Sequence, residues 1–235
     1  MHPLLNTLLT MNNRNIQLLH LLRLASQALP VGAYAYSQGL ESAVSMSYVE
    51  SEEQTQHWIS GVMSTGPGQL DLPILIRQYR AWSANNMSEV YKWNEMLAAF
   101  RETSELLFED QQMGRALYRI LETERREGKA CWESEELPSF VTIFALAGVI
   151  YEIDLEMLIR GFAWSWMENQ VNIATKLIPL GQSAAQRILV QLIPLVDSVC
   201  QSALSIEDND IGCSMQGLSI LSSNHEHQAT RLFRS

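Results

Sequence analysis

The stretch DLEMLIRGFAWSWMENQVNIATKLIPLGQ, residues 154–182, decides the fold. Leu155, Leu158, Ile159, Phe162, Trp166 and Ile173 recur at steps of three and four. Met157, Ala163, Trp164, Met167 and Val171 fill most of the remaining circumference. A helix that is apolar nearly all round is buried on most sides, so the spacing predicts a long central helix. Asp154 caps its start, and Pro179 with Gly181 stops it. One stripe is polar: Gly161, Ser165, Glu168, Asn172 and Lys176, with Asn169 beside it. It fits either the one solvated edge of a core helix or a partner-facing seam carrying Glu168, Asn169 and Lys176.

Working outward, the apolar run 140–150 predicts a helix opened by Pro138, and 182–204 predicts another, kinked at Pro194. Further upstream, the periodicity predicts helices over 16–28, ended by Pro30, and over 52–64, capped by Ser51 with Gln54. Others follow from a cap at Asp71 to about residue 84, over 89–100 and over 103–127, the last closed by Gly128. Arg101, Glu105, Glu109, Arg115 and Arg119 read as a solvated face of paired charges, with Arg125, Arg126 and Glu127 crowding the end. Between the first two helices, Gly32 and Gly39 bracket Tyr34 and Tyr36 in a tight loop, before a short helix through Glu41 and Val44. That loop suits a packed turn and a binding loop equally. The motif GPGQLD, residues 66–71, reads as a loop. No stretch alternates like a strand. The expected fold is all-α: a single-domain helical bundle over 1–205 with a long central buried helix, then a linker and a C-terminal partner-binding tail over 206–235.

Composition narrows the function. The chain has 235 residues, 47% of them apolar, enough for a sizeable core. Its net charge of −10 argues against nucleic-acid binding, which needs a basic footprint. Three cysteines, Cys131, Cys200 and Cys213, give neither a disulfide framework nor a CxxC metal site, and suit a reduced, cytoplasmic setting. The start lacks the basic and apolar regions of a signal peptide, and no continuous apolar run reaches the roughly twenty residues of a membrane span.

Little here carries catalysis. GPGQLD is followed by no Gly-Lys-Ser/Thr, so it is no phosphate loop. His2, His20, His57, His225 and His227 show no zincin spacing. His225-Glu226-His227, with Cys213, is the only cluster, and residues two apart share no helix face. No metal site, tightly bound cofactor or catalytic residue is expected, and the chain is expected not to be an enzyme. The ending RLFRS is different. It sets Arg231 and Arg234 around Leu232 and Phe233, before Ser235, an interface composition.

Three blocks carry a resemblance: ALPVGAYAYSQGLE at 28–41, WMENQVNIATKLIPLGQ at 166–182, and HEHQATRLFRS at 225–235. In that order and at those positions the chain resembles the urease accessory protein UreF family. Ala33 stands where the family often has glycine, Tyr34 where it often has phenylalanine, and Asn224 where an arginine is usual. The resemblance implies an all-α homodimer without enzymatic activity. It implies binding to a second accessory protein, the D or H component, and recruitment of a small GTPase, component G. That assembly uses GTP hydrolysis to insert nickel into the urease apoprotein. By resemblance, Arg231, Leu232, Phe233, Arg234 and Ser235 meet the D/H component, which orders them, the tail being mobile alone. Lys176 and its neighbours Glu168, Asn169 and Gln182 meet the GTPase. A second reading is a helical GTPase activator supplying Arg160 or Lys176 in trans.

Overall fold

The computed structural model describes residues 3–124 and 132–235, with side chains from residue 13 on. Arg125, Arg126, Glu127, the expected Gly128 cap and Cys131 lie outside the described residues. The chain order is α1 (Pro3–Ala25), a 3-10 turn (Ala33–Ala35), α2 (Leu40–Ser45), α3 (Glu52–Gly66), a π-turn (Pro67–Asp71), α4 (Leu72–Ser83), α5 (Met87–Phe100), α6 (Ser104–Thr123), α7 (Phe140–Ile150), α8 (Leu155–Leu177), α9 (Gln182–Ser205), a 3-10 turn (Asp208–Asp210) and α10 (Gln216–Glu226). No strand occurs among the described residues, so the class is all-α, as the periodicity predicts.

Helices start where the sequence supplies an acceptor for a free amide. Ser51 accepts from the Gln54 amide, Asn86 from Glu89, Thr103 from Leu106, and Ser139 from Thr142. Asp154 accepts from both Glu156 and Met157 and opens α8. The cap of α7 is thus Ser139, one residue beyond the expected Pro138.

Two boundaries differ from expectation. α1 ends at Ala25 instead of 28, because the Ser26 hydroxyl accepts the Ala28 amide and turns the chain before Pro30. GPGQLD is no loop: α3 passes into α4 through the π-turn. Pro67 removes one amide from the ladder, and a wider turn absorbs the loss. Asp71 is therefore helical itself, makes no side-chain cap, and turns its carboxylate to Arg101.

α8 is the hub, packing on α1, α2, α3, α4, α7 and α9. Its Gly161, expected on the polar stripe, is buried against α1; a Cβ there would lie 2.4 Å from Leu21. α7 is more thoroughly enclosed, with every residue from Phe140 to Gly148 buried. Phe140, Phe144 and Phe162 stack at the α7–α8 contact, their ring centroids 5.3–6.0 Å apart. α9 is long and apolar enough to cross a membrane by length and composition, which a search for unbroken apolar runs passes over. Here Ile188, Leu192, Val196 and Val199 turn inward, and α9 packs on α3, α4 and α8.

A second, smaller cluster lies at the far end of α8. Leu40, Ala43 and Val49 meet Ile173, Ala174 and Ile178, and the cluster is closed by Leu221 and Phe233 from the end of the chain.

Candidate functional site

The loop before α2 supplies one wall of the site. Gly39 has φ +81°, and a Cβ there would meet the Leu218 side chain at 2.8 Å, so α10 approaches closely at this glycine. The two tyrosines divide the roles the sequence left open. Tyr36 is buried, and burial raises its phenol above the usual range against a hydrogen bond with Arg234. Tyr34 is 61% exposed. Gln38 ties the loop to the body: it accepts from the Trp166 indole at 2.7 Å and donates to Glu109 at 2.5 Å.

The C-terminal segment lies against this wall. The Ser37 amide and hydroxyl donate to the Ser235 carbonyl, and the Arg234 amide donates to the Ala35 carbonyl at 2.8 Å. Glu41 Oε1 accepts the Leu232 amide at 2.7 Å, and Oε2 accepts the Phe233 amide at 2.9 Å. Arg231 donates to Glu105 at 2.9 Å, and the Ser235 hydroxyl donates to Glu109 at 2.8 Å. Phe233 and Ser235 are buried, whereas Arg231, Leu232 and Arg234 face outward. The segment already has its contacts within the chain, contrary to the expectation of a tail mobile until a partner binds. Its apolar ring has a socket at home, and its amides have a buried carboxylate to meet.

Lys176 joins the same surface. Its Nζ lies 5.9 Å from the Tyr34 ring centroid and 5.7 Å from that of Phe233, within reach of both aromatic faces. The residues assigned to two partners thus meet at one lysine. The others spread apart. Asn169 is buried, its amide donating to the Ala33 carbonyl at 3.1 Å while its Oδ1 has no hydrogen-bond partner. Glu168 is half-buried beside Gln27, Gln182 is exposed at the start of α9, and Arg160 is held by Glu156 and Asp197.

The face of α6 expected to be solvated is partly internal. Arg115 and Arg119 are exposed, but Glu109 is 3% exposed and Arg101 lies between Asp71 and Asp110. Burial opposes the Arg101 charge, yet those two carboxylates outweigh it and raise its pKa. The expected histidine cluster does not form. His225 is buried between Glu41 and Glu105, His227 is exposed, and Cys213 is half-buried, its thiol pushed up to about 11 by burial. Among the described residues no group of three His, Cys, Asp or Glu side chains is placed to hold a metal ion.

Burial also pushes the Glu109 carboxyl from 4.5 up to about 7, against the hydrogen bonds from Gln38 and Ser235. The folded chain keeps a proton that the unfolded chain releases. Stability is therefore full below about pH 4.5 and falls as the pH rises toward 7. The loss at pH 8 is up to about 3 kcal/mol. In Glu109→Gln the amide oxygen still accepts from Gln38, and its nitrogen donates to Ser235. This variant is expected to be more stable than the parent by about 1–3 kcal/mol at pH 8 and equal to it near pH 4.5, by urea denaturation at both.

Sequence reasoning missed Glu41, Glu105 and Glu109 as the groups that seat the segment. A signal was present in Glu105 and Glu109, which are like charges at i,i+4 and repel unless each has its own donor.

Comparison with known proteins agrees with the architecture. A family model described as UreF matches residues 49–193. The urease accessory protein UreF of Teredinibacter turnerae is 51% identical over 94% of this chain and 100% of its own length. That of Hahella chejuensis is 44% identical over 94% and 99%, and that of Chromohalobacter salexigens 41% over 92% and 93%. With more than half the chain matched by the model and whole-length relatives well above 30% identity, the chain belongs to the urease accessory protein UreF family.

Proposed function

We propose that this protein is a non-catalytic cytoplasmic scaffold in urease maturation. It binds the D/H accessory component and recruits the accessory GTPase, and nickel released on GTP hydrolysis passes to the urease apoprotein. It acts as a homodimer. The observation that carries the reading is the single surface formed by Arg231, Leu232, Arg234, Tyr34 and Lys176. In a chain of net charge −10 it gathers three cations around two exposed apolar groups, Tyr34 at 61% and Leu232 at 64%. Exposed aromatic and arginine side chains beside an apolar anchor are what interfaces select. The test is co-purification with the D/H component, the GTPase and urease apoprotein, followed by nickel-dependent urease activation. Activation without this chain overturns the reading.

The activator alternative is disfavoured for Arg160 by its ion pairs with Glu156 and Asp197. Adding the chain to the GTPase separates the two: a side chain supplied in trans raises turnover steeply, a scaffold little.

Lys176→Ala is expected to weaken GTPase recruitment about tenfold or more, by calorimetry on the complex. Its cost to folding should be about 1 kcal/mol or less, because the lysine is exposed and gives up only ring contacts and a favourable place at the helix C-terminus.

A further inference from the structure

We propose that Glu41 is the positioning residue that seats the C-terminal segment, and that it does so together with a His225 ring protonated on both nitrogens. Glu41 is 6% exposed and lies on α2, nearly two hundred residues before the segment it holds. A buried carboxylate of this kind is stable only where donors surround it. Oε1 takes the Leu232 amide, and Oε2 takes both the Phe233 amide and His225 Nε2, the last at 3.0 Å.

The other side of the ring decides the proton count. His225 Nδ1 lies 2.9 Å from Glu105 Oε2, and Glu105 Oε1 takes Arg231. Each of the four carboxylate oxygens therefore already faces a donor, and an ionised carboxylate only accepts. A neutral imidazole has one N–H and one bare nitrogen, so it would set a lone pair against a carboxylate. A ring with two N–H groups satisfies both contacts. It also balances the cluster: Glu41 and Glu105 bring two negative charges, His225 and Arg231 two positive ones. In this arrangement α2, α6, α10 and the last residues meet at one imidazole. Its use as a partner surface rests on the function proposed above; the seating itself is a property of the isolated chain.

The experiment is native-state hydrogen exchange on the isolated chain, read at the Leu232 and Phe233 amides. In Glu41→Gln one oxygen becomes an NH2 group facing donors, and protection of both amides is expected to fall about thirtyfold. Leu232→Pro removes one amide at an exposed position and leaves Glu41 intact. It should lower protection of Phe233 about tenfold, and it decides the matter if Glu41→Gln does not fold. In the parent protein, nitrogen NMR of the imidazole should show two N–H-type signals. Wild-type protection in both variants, or one bare ring nitrogen, overturns the proposal whatever the partner does. Lost protection with capture of the D/H component intact supports the seating and instead removes the segment from the proposed function.

Discussion

Deleting residues 231–235 is expected to abolish stable complex formation with the D/H component while the main helical core stays folded. Phe233 is a wall of the small second cluster, not of the large one around α7 and α8. Truncation should therefore lower stability by roughly 3–5 kcal/mol, as for loss of a buried phenylalanine. The helical far-UV signal should persist. Arg231→Ala separates folding from binding. Its ion pair with Glu105 is 40% exposed on the arginine side, so its loss should cost about 1 kcal/mol or less in stability. The same change should weaken the complex at least thirtyfold, about 2 kcal/mol, if Arg231 is an interface anchor. Calorimetry on the complex and urea denaturation of the free chain give the two numbers. Wild-type affinity in Arg231→Ala would remove the arginine from the partner surface.

The second large effect is expected at Arg101. Its guanidinium lies 2.5 Å from Asp71 and 3.4 Å from Asp110, with the three side chains 18%, 8% and 7% exposed. Arg101→Met leaves two buried carboxylates without a counter-charge and should cost about 3–5 kcal/mol near neutral pH. Burial already raises the Asp110 carboxyl even with Arg101 present. Without the arginine both aspartates take up protons more readily in the folded state, so the penalty should shrink as the pH falls. Adding Asp71→Asn and Asp110→Asn should recover most of the loss, because the asparagine oxygen can still accept the Phe140 amide that Asp110 now holds at 3.0 Å. Denaturation midpoints at pH 5 and pH 8 for the single and triple variants test the sign. A single variant equally destabilised at both would show that lost packing, not lost charge, sets the cost.

What the sequence disclosed follows from what each residue does locally. Ser139 and Asp154 cap their own helices, and α7 and α8 bury most of their circumference, so both could be placed from periodicity alone. Phe233 and Lys176 stood out by composition and by resemblance to a family. Glu41, Glu109 and Arg101 did not, because a charge on a helix reads as solvated until its partner, 30 to 191 residues away, is known. Gly161 misled for the opposite reason: a residue without a side chain scores as polar in a stripe, yet here it marks the closest approach of two helices. The segment GPGQLD misled because its glycines and proline are used inside a rod, where Gly68 lets the Val199 side chain approach.

That rod has a consequence for how the chain tolerates length changes. The π-turn Pro67–Asp71 carries one residue more than a regular helix needs over the same rise. It therefore sets the phase of everything after it. Deleting any single residue there would let α3 run straight into α4, at no loss of helix, but would rotate α4 by about 100° relative to α3. Asp71 would swing off Arg101, and the fully buried Leu72, Leu75 and Ile76 would turn away from their neighbours. At this point the chain accepts changes of residue far more readily than changes of count.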